Sequence, residues 1–88
     1  PTISMFYGIL ILMFFSGQSS PSSSSYPYTN QGEEATIAIE DGSILDGALP
    51  PKQLKMVQAW IEIHKEELFV DWELAINGED PFRIAPLQ

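Results

Sequence analysis

The sequence predicts an α+β fold in which a small antiparallel β-sheet of about three to four strands packs on a long C-terminal helix. Three observations predict it. The first segment is rich in Ile, Phe and Tyr, which suit strands. An Asp-Gly pair follows a short run that alternates between apolar and polar residues, which is typical of a hairpin. The second half repeats apolar residues at helical spacing. With 88 residues the chain has room for a single domain, residues 1–88.

The apolar segment at residues 3–15 is predicted to be β-structure. It is shorter than the ~20 residues of a membrane-spanning helix, and no basic residue precedes it as in a signal peptide. One straight strand would extend about 43 Å, whereas a domain of this length is about 31 Å across. We therefore expect a break or bend at Gly8. Both faces of the segment are apolar, so one should pack on the helix and the other is a candidate for self-association.

A Ser- and Pro-rich segment at residues 17–32 is predicted to be a flexible loop, because it has little to bury. Beyond it, Ala35, Ile37 and Ile39 alternate with polar residues and should face the core. Asp41-Gly42 predicts a two-residue turn of type I′ into a short return strand.

The helix is predicted to begin at Pro50-Pro51 and to end at Asn77-Gly78, because proline fits a first helical turn and glycine follows a last one. A continuous helix of this length would span about 40 Å. Two interpretations remain open: the helix breaks near His64, or it projects and packs on a partner. The apolar tail at residues 82–87 could also fold back over the helix.

The charge is strongly acidic, with 12 Asp and Glu against 4 Lys and Arg, a net charge of −8. Binding to nucleic acid needs clustered basic residues, so direct nucleic-acid binding is not expected. A basic protein or a cation suits this surface better, although the charge could serve solubility alone. The chain has no cysteine, which fits a reducing compartment and excludes disulfides and Cys-based metal sites.

The sequence offers little that could carry chemistry. His64 is the single histidine and a weak candidate for a general base. A contact with Glu67 is possible on one helix face, but a lone histidine on an apolar stripe is more often a core residue. The acidic residues of the helix are more typical of a solvated face than of a cation site. No catalytic, cofactor-binding or metal-binding residue is predicted, and the chain is more typical of a non-enzyme.

Several segments together resemble a known family. They are residues 1–9 (PTISMFYGI), 34–40 (EATIAIE), 42–50 (GSILDGALP), the helix from Trp60 to Trp72, and 84–87 (IAPL). The chain resembles small bacterial proteins of domain-of-unknown-function family 4160. The resemblance implies an α+β fold, a cytoplasmic location and an association with toxin–antitoxin-type gene pairs. Family members usually carry a His-x-Pro-Pro-His-x-His element, where this chain reads QSSPSSSSY at residues 18–26. Any metal or acid–base role of those histidines does not carry over.

The sequence therefore predicts a protein-interaction module that belongs to a toxin–antitoxin-like pair. We expect it to form a homodimer and to bind another protein, a basic one by charge, without a cofactor and without a membrane. The candidate interface residues are Phe6, Ile9, Ile11, Trp60 and Ile63. The alternative is a degenerate enzyme or nuclease-like toxin that lacks its histidine site, and a third interpretation is a purely structural role.

Overall fold

The computed structural model describes residues 2–13, 22–26 and 34–88 and shows a β-sheet followed by two helices, so the α+β class is confirmed. The elements are β1 (Thr2–Phe6), β2 (Ile9–Leu12), β3 (Ser22–Tyr26), β4 (Ala35–Ala38), β5 (Ile44–Gly47), α1 (Pro51–Ile63) and α2 (Lys65–Ile76). The described strands form one antiparallel sheet in the order β1-β2-β3-β4-β5. The sheet thus has more strands than the three to four that the sequence predicts.

The first apolar segment supplies two of these strands. The chain is interrupted at Gly8, as expected, but it reverses direction there instead of bending. Tyr7 and Gly8 both have positive φ angles, 49° and 76°, and two such residues in succession make the type I′ turn of a hairpin. A bulge in β1, where the register shifts between Thr2 and Ser4, leaves both Ile3 and Ser4 buried.

The central strand β3 lies within the segment that the sequence predicts to be a loop. Ser22 and Ser24 pair with Ala38 and Thr36 of β4, and Ser24 also pairs with Leu12 of β2. A strand between two neighbours gains backbone hydrogen bonds on both sides, and these do not depend on the side-chain type. The other residues of 17–32 lie outside the described part of the chain.

The hairpin of β4 and β5 is present, with Ala35, Ile37 and Ile39 buried as predicted. The type I′ turn at Asp41-Gly42 is not formed. Gly42 has a positive φ of 75° but Asp41 does not, and the connection covers residues 39–43. Asp41 instead accepts a hydrogen bond from the Ser43 amide at 2.9 Å, which fixes a wider turn.

Two helices meet at His64 in place of one long helix. The molecule is 33 Å long at most, shorter than the about 40 Å of a straight 27-residue helix. The interruption allows Val57 and Ile61 of α1, and Leu68 and Trp72 of α2, to be buried in the same core. Helix α2 ends where predicted, at Asn77, with Gly78 in the left-handed conformation beyond it.

The hydrophobic core lies between one face of the sheet and the helices. Its buried residues are Ile3, Phe6, Ile9, Ile11, Met13, Ala35, Ile37, Ile39, Leu49, Val57, Trp60, Ile61, Leu68, Trp72 and Ile84. The C-terminal segment folds back over this core, as the apolar tail suggested. The Ile84 amide donates to the Ile3 carbonyl at 2.7 Å, and Trp60 Nε1 donates to the Ala85 carbonyl at 2.8 Å.

Candidate interaction site

Four of the five candidate interface residues lie inside the molecule. Phe6, Ile9, Ile11 and Trp60 are each at most 5% exposed, because packing the sheet on the helices consumes the apolar side chains of the first hairpin and of α1. Ile63 is different, since its side chain is 65% exposed at the end of α1. Only Ile63 of this set is therefore available on the surface of the single chain.

His64 forms the junction between α1 and α2. Its Nδ1 lies 2.6 Å from Glu67 Oε1, which is the contact that the i,i+3 spacing suggested. Its ring also lies against the Trp60 ring, with centroids 5.5 Å apart. The His64 side chain is thus held by a carboxylate and an aromatic ring, an arrangement that stabilises the junction.

The junction carries several exposed carboxylates beside the exposed Ile63. Glu62 pairs with Lys65 at 3.4 Å, and Glu67 pairs with His64. Glu66 is exposed in the first turn of α2. These side chains line a depression at the α1–α2 junction. The exposed apolar side chain of Ile63 therefore lies next to charged side chains.

A second depression lies between α2 and the C-terminal segment. Val70, Phe82 and Ile84 give it apolar walls, and its volume is about 300 Å³. Glu66 and Glu67 line both this groove and the junction depression, so the two form one continuous surface. We call this the junction surface, and its exposed residues are Glu62, Ile63, Glu66, Glu67, Val70, Phe82 and Arg83.

Asp71 lies at the floor of the groove and is only 1% exposed. Its Oδ1 accepts a hydrogen bond from the Phe82 amide at 2.8 Å, whereas its Oδ2 has no hydrogen-bond partner among the described residues. Burial raises the pKa of Asp71, the Phe82 amide opposes that rise, and the nearby negative charge of Glu67 adds to it. Asp71 therefore contributes to the lining of the groove a buried carboxylate whose Oδ2 lacks a donor among the described residues.

The acidic residues of the helix predict a solvated face that includes Asp71, but its side chain is buried. The signal was its position in the apolar stripe of the helix. Asp71 follows Leu68 by three residues and directly precedes Trp72, and both neighbours are buried. A residue three positions after Leu68 lies on the same side of the helix as Leu68, which is the side that faces the core.

The serine-rich segment at residues 18–26 is described only from Ser22 to Tyr26. Ser22 and Ser24 occupy alternate positions of β3, whereas Gln18 lies outside the described residues. Within residues 2–13, 22–26 and 34–88, no group of three or more His, Asp or Glu side chains could hold a metal ion.

Comparison with known protein families gives a match over most of the chain. A family model described as "Domain of unknown function (DUF4160)" matches residues 8–73, which run from the first turn to near the end of α2. No curated protein and no solved structure matches the chain. Neither helix of the described chain is long and apolar enough to cross a membrane.

Proposed function

Since the chain belongs to the DUF4160 family, whose description assigns no activity, we propose a function from the surface of the molecule. The chain is a protein-interaction module that binds a basic protein partner through the junction surface. In this proposal the helices and the C-terminal segment present the binding face, and the sheet is the scaffold behind it.

The observation that carries the proposal is the exposure of three apolar side chains beside carboxylates. Ile63, Val70 and Phe82 are 65%, 53% and 67% exposed, and Glu66 and Glu67 lie beside them. Exposed apolar groups with a polar rim are typical of protein interaction sites. The carboxylates favour a partner of opposite charge, and the net charge of −8 would attract such a partner over longer distances.

The toxin–antitoxin-like pairing that the family resemblance implies is part of this proposal. It directs the search for the partner to the product of the neighbouring gene. A basic protein encoded there would fit both the gene arrangement and the charge of the junction surface.

The proposal can be tested by photo-crosslinking in the native host. A photoreactive amino acid at Val70 should crosslink a basic protein, whereas the same group at Leu45, which is 55% exposed on β5, should not. Calorimetry with that purified protein then compares Val70→Glu with Leu45→Glu. We expect at least about tenfold weaker binding for Val70→Glu and unchanged binding for Leu45→Glu. Equal affinities of both variants and the wild type would overturn the proposal.

The alternative function, a degenerate enzyme or nuclease-like toxin, leads to a separate prediction. If the chain once carried a histidine site, the double variant Ser22→His/Ser24→His should gain affinity for Zn²⁺, because imidazole nitrogens are zinc ligands. Residues two apart in a strand share a face, so Ser23→His/Ser25→His is the matched control with two histidines on the other face. Calorimetry that detects no gain of zinc affinity in the first variant would count against the alternative.

A further inference from the structure

We propose that the groove between α2 and the C-terminal segment receives a lysine side chain of the basic partner, whose ammonium group donates to Asp71 Oδ2. This inference rests on the proposed function and specifies its chemistry. It identifies the anchor that the partner inserts and the atom that receives it.

The floor of the groove supplies the acceptor. Asp71 is 1% exposed, and Oδ2 has no hydrogen-bond partner among the described residues. A buried carboxylate oxygen without a donor is unfavourable, because it has lost its water without replacement. Oδ2 has almost no accessible surface in the free chain, so the walls of the groove have to move slightly apart before a cationic donor can reach it. Such a donor removes this cost, so binding there gains more than an ion pair at an exposed site would.

The walls of the groove fit the stem of the ligand. Val70 and Phe82 are exposed on its sides and Ile84 is buried beneath. A lysine side chain carries four methylene groups that pack on apolar surface while the ammonium group reaches a polar one. The volume of about 300 Å³ is at the lower end for a ligand site and suits one side chain better than a large molecule.

The hydrogen bonding at Asp71 favours lysine over arginine. Oδ1 already accepts from the Phe82 amide at 2.8 Å, so the carboxylate offers one free oxygen. Arginine binds carboxylates best through two parallel hydrogen bonds to both oxygens. An ammonium group needs only one oxygen here.

The charges that line the groove also favour a cation. Glu66, Glu67 and Asp71 provide three carboxylates, and Arg83 provides the one guanidinium among the described lining residues. Arg83 is exposed and follows Phe82 directly, so it could compete with the ligand for the carboxylates. Arg83→Gln should therefore bind the ligand at least as tightly as the wild type does.

The test is an NMR titration of the full ¹⁵N-labelled chain with Nα-acetyl-lysine methylamide. The norleucine analogue has the same stem without a charge, and the arginine analogue tests the choice between cations. We expect saturable shifts at the Val70, Asp71 and Phe82 amides with the lysine probe, and binding at least about tenfold weaker with either analogue. Equal binding of the norleucine analogue would overturn the proposal.

Two variants separate binding at Asp71 from general attraction to an acidic protein. Asp71→Asn keeps an acceptor for the Phe82 amide but removes the charge, and it should weaken the lysine probe at least about tenfold. Asp46→Asn removes the same charge from exposed β5 and should change nothing. If Asp71→Asn does not fold, Phe82→Ala replaces it, since Phe82 is 67% exposed and its loss opens one wall. Unchanged binding in whichever of these folds would overturn the proposal.

The outcomes also distinguish this inference from the proposed function. A partner that crosslinks at Val70 and binds Asp71→Asn as tightly as the wild type would refute the lysine site and leave the interaction module standing. Saturable binding of the lysine probe together with the absence of any crosslinked partner would refute the interaction module and leave the lysine site standing.

Discussion

Asp71 differs from the other acidic residues of α2, because Glu66, Glu67 and Glu73 are exposed and Asp71 is buried. Its carboxyl group is held by the Phe82 amide on one oxygen and meets no donor on the other. Burial therefore works against ionisation of this group, and the folded protein holds its proton to a higher pH than the unfolded chain does.

This difference predicts how stability depends on pH. As the pH rises above the ordinary Asp value of 3.8, the unfolded chain releases the proton of Asp71 while the folded protein keeps it. The free energy of unfolding should then fall with rising pH until Asp71 also ionises in the folded state. Asp71→Asn has no proton to release, so its stability relative to wild type should increase over the same range and then stay constant.

The measurement is urea unfolding followed by tryptophan fluorescence at a series of pH values. The difference between Asp71→Asn and wild type removes the contribution of the other carboxylates, and Asp46→Asn on exposed β5 is the control for the loss of one carboxylate elsewhere. A stability difference for Asp71→Asn that does not change between acid and neutral pH would contradict the prediction.

Ser4 presents a second buried polar group without a partner. Its side chain is 2% exposed, and its hydroxyl oxygen has no hydrogen-bond partner among the described residues. The bulge in β1 places it in the core beside Ile3. Ser4→Ala removes the unsatisfied hydroxyl and should raise the free energy of unfolding by about 1 kcal/mol. A loss of stability in urea unfolding would show that the hydroxyl is satisfied in solution.

At the scale of elements, two glycines with positive φ angles end β5 and follow α2. Gly47 and Gly78 have nearly the same backbone conformation, with φ angles of 79° and 77°, but different surroundings. A Cβ atom at Gly47 would clash with the Glu34 carbonyl oxygen and lie 3.0 Å from Ala35 Cα, whereas at Gly78 it would meet no atom within 4 Å. The two positions therefore separate backbone strain from steric overlap.

Alanine substitutions at the two glycines should differ in cost. Gly78→Ala places a side chain in the left-handed conformation and should cost about 1–2 kcal/mol. Gly47→Ala adds the overlap between β5 and β4, which should cost about 1–3 kcal/mol more. Urea unfolding of the two variants measures the difference directly. Equal losses would mean that the β4–β5 hairpin shifts at no cost to accommodate the side chain.

Elements whose signals are local could be predicted from the sequence, and those that depend on distant partners could not. The alternation of Ala35, Ile37 and Ile39 and the stop of α2 at Gly78 were readable. Strand β3 was not, because the serine run carries no local strand signal and its place depends on pairing with β2 and β4. The reversal at Tyr7-Gly8 was missed because tyrosine rarely adopts a positive φ.

The candidate site shows the same limit. The exposure of Ile63 and the contact of His64 with Glu67 follow from helical spacing within a few residues. The groove does not follow from this spacing, because its second wall is formed by Phe82, which lies beyond the end of α2. The Phe82 amide binds back to α2 by donating a hydrogen bond to Asp71. The burial of Phe6, Ile9, Ile11 and Trp60 also needed the packing of the whole sheet on both helices.

At the scale of the whole molecule, the sheet has one covered face and one that the described helices do not cover. Ile9 and Ile11 are buried on the inner face. On the outer face Met5 is 60% exposed and pairs across the hairpin with Leu10, which is half-buried like Leu12. The sequence predicted self-association from this second apolar face, and the homodimer remains a prediction.

A homodimer formed through the outer face would have to bury enough surface area to be stable. A stable interface buries about 800 Å² of each partner, more than three side chains supply, so the contact would have to extend from the first hairpin across β3 and β4.

Met5→Glu places a charge at the exposed edge of this outer face and should shift the chain toward the monomer, because a buried unpaired carboxylate is unfavourable. Leu45→Glu on β5 is the control of similar exposure and should leave the association unchanged. Sedimentation velocity over a wide concentration range measures both variants, and a wild type that stays strictly monomeric at the highest concentration would exclude the homodimer.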